Sequence, residues 1–124
     1  MLEARPTPDR VLRVFSSSLV AFNLVLQAGD WVTSWVGYYR GAQETNPVTL
    51  WLIKAVGNDY IGISIEKVAY IAMFIGICLL MRALLKVKGT ITKYGGLICL
   101  GAFLIFCIIE FAIVVSANMA ALGF

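Results

Sequence analysis

The sequence predicts an all-α fold: an integral membrane helical bundle with three transmembrane helices plus one short re-entrant or interfacial helix. Hydrophobic residues make up 60% of the 124 residues and charged residues only 14%, and the mean hydropathy is +0.88. Soluble domains are much less apolar. Three apolar segments each have the roughly 20 residues that a helix needs to cross a bilayer. We therefore interpret residues 1–124 as a single transmembrane domain, with the lipid bilayer as a partner.

The first predicted span covers residues 14–36 and carries polar side chains at helical spacing. Four of them define what we call the polar stripe: Ser16, Asn23, Gln27 and Ser34. Asp30 lies on the same face, because all five fall within roughly 60° of one another around a helix. Amide side chains hydrogen-bond between helices in membranes. We therefore expect the stripe to be a helix interface that requires a partner helix.

The short helix is predicted over residues 47–57, after a group of aromatic residues at the end of the first span. The chain turns at Gly37 and Gly41 before it, Asn46 is placed to cap it, and Pro47 suits its first position. Its apolar residues recur at helical spacing, and a Gly-Asn pair signals its end. A helix of about three turns is too short to span a bilayer. It therefore lies in the interface or enters the membrane and returns.

The remaining spans are predicted over residues 63–85 and 94–118, and the basic residues predict their direction. Seven lysines and arginines fall on one side of this topology: Arg5, Arg10, Arg13, Arg82, Lys86, Lys88 and Lys93. Only Arg40 and Lys54 fall on the other. The positive-inside rule then predicts a multi-pass protein of the cell membrane, with a cytoplasmic N-terminus and an external C-terminus.

Ionisable residues at membrane depth form the candidate site, a polar intramembrane cluster of Asp30, Glu44, Glu66, Lys67 and Glu110. Asp30, Lys67 and Glu110 are expected in the outer half of the membrane, about 6 to 12 Å deep at 1.5 Å per residue. Glu66 falls in the same zone, and Glu44 joins it if the short helix enters the membrane. Such residues are costly in lipid and require partners, and we expect Lys67 to pair with Asp30 or Glu44. Two interpretations stay open: a structural cluster that holds the helices in register, and a path for protons or cations.

The sequence argues against catalysis by this chain alone. It has no histidine, which is the commonest general base and metal ligand near neutral pH. Its cysteines, Cys78, Cys99 and Cys107, form no C-x-x-C pair, and the last two lie about 12 Å apart along a helix, too far to hold one ion. No nucleophile-base pair, phosphate loop or nucleic-acid motif appears. We therefore predict no catalytic, cofactor-binding or metal site, no cofactor and no nucleic-acid partner.

One pattern is similar to that of a known family. The pattern begins with an acid followed by hydroxyls in the first span, namely Asp30, Thr33 and Ser34. A Glu-x-Asn-Pro segment (Glu44, Asn46 and Pro47) and an early lysine in the next span, Lys67, complete it. This pattern resembles an uncharacterised family, a domain of unknown function, of small integral membrane proteins from bacteria and archaea. The resemblance covers about a third of the chain. It implies that the polar cluster is a unit and implies no activity.

Together these features predict a non-catalytic accessory or structural subunit of a larger membrane complex, with other integral membrane subunits as partners. Small subunits of this kind accompany membrane oxidoreductases such as respiratory complexes and copper membrane monooxygenases. The alternative is a homo-oligomeric ion or proton channel or transporter that uses Asp30 and Glu110. Because three spans are too few to enclose an aqueous path, this alternative requires several copies of the chain.

Overall fold

A computed structural model describes residues 8–41 and 47–123, and in these ranges the chain forms four helices and no strand. They are α1 (Pro8–Tyr39), α2 (Pro47–Val56), α3 (Asp59–Leu85) and α4 (Thr90–Ala121). The helices α1, α3 and α4 are each long and apolar enough to cross a membrane, whereas α2 is short and apolar. The predicted all-α class, with three long apolar helices and one short one, is confirmed. Glu44 and Asn46 lie outside the described residues.

The helices extend beyond the predicted spans because a helix continues into the headgroup region, where charged side chains reach water. Thus α1 begins at Pro8 and α4 begins at Thr90, each several residues before the apolar segment. The prediction of a turn at Gly37 is wrong, because Gly37 is buried within α1. The chain turns at Gly41, whose φ of 85° lies in the left-handed region that favours glycine.

The direction of the long helices alternates along the chain: α3 runs antiparallel to α1 and α4, and α1 and α4 point the same way. Near their starts, Lys93 Nζ lies 2.7 Å from Asp9 Oδ1. Near their ends, Arg40 donates a hydrogen bond of 2.9 Å to the Leu122 carbonyl. We call one end of the bundle the basic end, because it carries Arg10, Arg13, Arg82 and Lys86.

The opposite end, where α1 finishes and α3 starts, is called the aromatic end. It is defined by Trp35, Tyr38 and Tyr60. The Tyr60 ring meets the Trp35 ring edge-on at a centroid distance of 5.4 Å and the Tyr38 ring at 6.4 Å. Tryptophan and tyrosine concentrate at the level of lipid headgroups, so this end marks one boundary of the hydrocarbon.

The interior of the described part of the chain contains as many polar or charged side chains as apolar ones. The buried apolar side chains are Val20, Ile63, Phe74, Met81, Leu97, Leu104 and Cys107, and the buried polar or charged ones are Ser16, Asn23, Gln27, Asp30, Thr49, Glu66 and Lys67. Many large apolar side chains face outward, among them Ile91, which is 90% exposed. This distribution suits a protein whose surroundings are hydrocarbon, because lipid tails are as apolar as leucine.

The helices α2 and α3 form a close antiparallel hairpin. After α2 ends, Gly57 adopts a φ of 79°, and the Asn58 side chain caps α3 by accepting a 3.1 Å hydrogen bond from the Ile61 amide. Further along, Gly62 of α3 faces Ile53 of α2, so that a Cβ at Gly62 would lie 2.9 Å from the Ile53 Cα and N. The hairpin therefore depends on a glycine at this position.

We expect Gly62→Ala to loosen α2 from α3. The added methyl group meets backbone atoms, and overpacking of this kind costs about 1–3 kcal/mol. Hydrogen exchange should show faster exchange of the α2 amides, while Gly76→Ala in the same helix, where a Cβ would meet nothing within 4 Å, leaves them unchanged. Equal exchange in the two variants would contradict this packing.

Candidate functional site

The centre of the candidate site is a buried ion pair between α3 and α1. Lys67 Nζ binds Asp30 Oδ2, and the two residues are 3% and 5% exposed. The ammonium group also lies 3.5 Å from Gln27 Oε1. Of the two partners expected for Lys67, the structure places Asp30 against it, whereas Glu44 is outside the described residues.

The second oxygen of Asp30 connects this pair to α4. Asp30 Oδ1 accepts a 2.9 Å hydrogen bond from Asn118 Nδ2 and a 3.3 Å hydrogen bond from Ser34 Oγ. Asn118 Nδ2 also donates to Thr33 Oγ1 at 3.1 Å. Each carboxylate oxygen of Asp30 therefore has a donor, and a single side chain joins α1, α3 and α4. This is the geometry of a structural connection, in which charge and hydrogen bonds are satisfied together.

Aromatic rings complete the surroundings of the Lys67 ammonium. Its Nζ lies 5.5 Å from the centroid of the Tyr70 ring and 5.7 Å from that of Phe111. The two rings meet edge-on, with their centroids 5.3 Å apart. Cations are attracted to aromatic faces within about 6 Å, so these rings offset part of the cost of removing the ammonium from water.

A second buried polar contact joins α2 to α3. Glu66 Oε2 accepts a hydrogen bond from Thr49 Oγ1, and both residues are buried. Adjacent residues of a helix point about 100° apart, so Glu66 faces α2 while Lys67 faces α1. The cluster therefore consists of two separate contacts, and α2 lies beside the first half of α3 with Thr49 near the level of Glu66.

The depth of the cluster follows from its distance to the aromatic end. Lys67 is seven residues beyond Tyr60 along α3, which is about 10 Å, and Tyr70 is about 15 Å from it. Half of the hydrocarbon core measures about 15 Å. A bilayer whose boundary lies at Tyr60 would place the ion pair within its hydrocarbon layer, and Tyr70 and its neighbour Phe111 near its middle.

The polar stripe faces the other helices of the same chain. Asn23 and Gln27 are completely buried, Ser16 is buried and Ser34 is half-buried. Asn23 Nδ2 donates to the Leu104 carbonyl of α4 at 3.2 Å and to the Leu19 carbonyl at 3.0 Å. The partner helix that the stripe requires is therefore supplied by this chain, and no other subunit is needed to cover it.

Glu110 is separate from the rest of the cluster. Its side chain is exposed on the surface of α4, next to Phe111 and hence about level with Tyr70. No hydrogen bond or ion pair joins it to another residue within 8–41 and 47–123. An exposed carboxyl group at this depth faces lipid, unless another molecule covers it.

Two contributors were not singled out from the sequence, namely Asn118 and Thr49. Each is an uncharged polar residue near one end of an apolar helix, where caps and exposed polar groups are common. The feature that could have identified them is their depth in the bundle, because both lie about as far from the aromatic end as Asp30, Glu66 or Lys67. In the part of the chain that the structure describes, no three His, Cys, Asp or Glu residues come together as a metal site would require.

Comparison with known proteins supplies no relative: no protein-family model, curated protein sequence or solved structure matches the chain. The described residues contain a buried ion pair in which each Asp30 oxygen has a donor, and one carboxyl group, that of Glu110, apart from it.

Proposed function

We propose that this chain is a non-catalytic accessory subunit of a larger membrane protein complex, and that it contacts an integral membrane partner through Glu110. The observation that carries the proposal is the exposure of this carboxyl group near mid-membrane. An acidic residue at the centre of a membrane helix is unfavourable by about 2.5 to 3.5 kcal/mol on insertion scales. A partner helix with a lysine, arginine, amide or hydroxyl at the same depth offsets that cost.

The side chain of Glu110 has no other means of reaching a polar environment. Long side chains near helix ends reach the headgroups, but the nearest boundary lies about 15 Å away, several times the length of a glutamate side chain. Burial against a partner of opposite or complementary polarity is therefore the favourable arrangement.

The remaining polar residues support a non-catalytic role. Asp30 and Lys67 neutralise each other, Asn118 and Ser34 occupy the other oxygen of Asp30, and Glu66 is bound by Thr49. Groups bound in this way fix helices relative to one another, and they leave neither Asp30 nor Glu66 available to a substrate.

We further propose the orientation that the positive-inside rule favours, with the basic end in the cytoplasm and the aromatic end outside. In this orientation α2 enters the membrane from outside, since Thr49 lies near the level of Glu66, about 9 Å beyond Tyr60. Multi-subunit membrane oxidoreductases, including respiratory complexes and copper membrane monooxygenases, are the first class of complex to examine for this subunit.

The test is the native mass of the protein extracted in mild detergent from its own membranes. We expect the chain to migrate with larger subunits at fixed stoichiometry and Glu110→Leu to reduce this association at least tenfold, which corresponds to about 1.4 kcal/mol. Glu110→Gln, which keeps a hydrogen-bonding group, retains most of it. The matched control is Ile98→Leu, at another exposed position of α4, which has no effect.

Two results would count against the proposal. One is full association of the Glu110→Leu variant, and the other is a wild-type chain that migrates alone. A chain that migrates as a small symmetric oligomer favours the second candidate function, a homo-oligomeric proton or cation conductor. Its supporting observations are Glu110 and the buried Asn23 Oδ1 and Gln27 Nε2, which have no hydrogen-bond partner in the described ranges. Such a conductor loses its flux in liposomes when Glu110 is replaced by glutamine.

A further inference from the structure

We propose that a groove at the basic end binds the phosphate headgroup of an anionic phospholipid. The groove has a volume of about 660 Å³ and lies between the start of α1 and the end of α3. It is lined by Asp9, Arg10, Arg13, Arg82, Leu85 and Lys86. This site is distinct from the polar cluster and does not depend on the proposed subunit role.

The charges of the groove favour an anion. Four of its six lining residues are cationic and one is acidic, and that acid, Asp9, is already paired with Lys93 at 2.7 Å. Arginine is suited to phosphate because its planar guanidinium group donates two parallel hydrogen bonds to phosphate oxygens. The groove therefore carries more cationic donors than carboxylates, and its one carboxylate binds a lysine that is not among the lining residues.

The cations come from two helices that face each other. Arg10 and Arg13 are three residues apart on α1, and Arg82 and Lys86 are four residues apart at the end of α3, so each pair lies on one helix face. The positive-inside rule explains basic residues at this end of the bundle, but it does not require them to line one groove. Convergence of like charges is unfavourable without a counter-ion, and basic pockets between membrane helices bind lipid headgroups.

An adjoining apolar groove distinguishes a lipid from a free phosphate. It is lined by Arg10, Val11, Val14, Phe15 and Ser18 and has a volume of about 500 Å³. Arg10 lines both grooves, and Val11, Val14 and Phe15 are more than half exposed. A phospholipid with its phosphate between the arginines can therefore lay an acyl chain along α1 toward the membrane centre.

The test is native mass spectrometry of the full chain with phosphatidylglycerol or phosphatidylcholine of identical acyl chains. We expect one phosphatidylglycerol to be retained at least about tenfold more tightly than phosphatidylcholine. Arg13→Gln with Arg82→Gln should abolish this preference, while Lys88→Gln, at the same end but outside the groove, leaves it intact. Equal retention of the two lipids by the wild type overturns the proposal, whatever the folding of the variants.

Two further arms distinguish a bound lipid from free phosphate and from diffuse attraction by surface charge. Inorganic phosphate at millimolar concentration should not displace phosphatidylglycerol, and displacement would show that the groove takes free phosphate and would overturn the lipid assignment. A loss of preference in Lys88→Gln as large as in the double variant would show that the whole basic surface attracts the lipid, and would likewise overturn the site. Helical content from circular dichroism identifies any variant that has unfolded.

Discussion

Replacement of Asp30 by asparagine is expected to destabilise the folded bundle by about 3–5 kcal/mol, because it removes the charge that compensates a buried ammonium group. Lys67 is 3% exposed and lies about 10 Å from the aromatic end, so it cannot reach water without opening the contact between α1 and α3. The measurement is the free energy of unfolding in mixed micelles with increasing denaturing detergent.

Two variants test the cause of this loss. Asp30→Asn combined with Lys67→Met removes both charges and should recover most of the lost stability, because no uncompensated charge then remains buried. Asp9→Asn breaks the exposed pair with Lys93 and should cost less than about 1 kcal/mol. A double variant no more stable than Asp30→Asn alone would show that hydrogen bonding by Asp30, rather than its charge, is the main contribution.

The second large effect is expected at the contact between α2 and α3. Thr49→Val keeps the shape of the side chain but leaves the buried Glu66 carboxyl group without its donor, which should cost about 3 kcal/mol. Because α2 packs mainly against α3, the loss should appear as local release of α2. Hydrogen exchange of the α2 amides measures it directly.

The matched control is Thr92→Val, at an exposed threonine in the first turn of α4, which should leave α2 unchanged. Thr49→Val with Glu66→Leu replaces both polar groups by apolar ones and should restore slow exchange. If Thr49→Val alone exchanges as slowly as the wild type, the Glu66 hydrogen bond does not hold α2 in place.

Local patterns in the sequence were sufficient to predict the helices and the polar stripe, and depth along the spans narrowed the partner of Lys67 to Asp30 or Glu44. Helical period places Ser16, Asn23, Gln27 and Asp30 on one face without knowledge of the fold. Hydropathy gives the long helices because the bilayer sets their length. These features are properties of single helices.

What the sequence did not predict depends on how each helix is rotated against its neighbours. Counting residues placed Glu110 in the cluster by depth, but the rotation of α4 turns it to the surface. The apolar period of α2 indicates a helix without showing which face is covered: Trp51 is 68% exposed, whereas Thr49 faces α3. In lipid, apolar side chains have no preference for the interior over the exterior, so periodicity does not identify the packed face.

The ion pair between Asp30 and Lys67 also constrains the biogenesis of the protein. The two residues are separated by 37 positions, so at typical elongation rates of about 5–20 residues per second the first helix waits about 2–7 s for its counter-charge. During this interval Asp30 has no lysine to meet it, so α1 is made before the contact that fixes it to α3 can form. The same ion pair that joins the mature helices therefore makes the position of the first helix provisional until α3 has been synthesised.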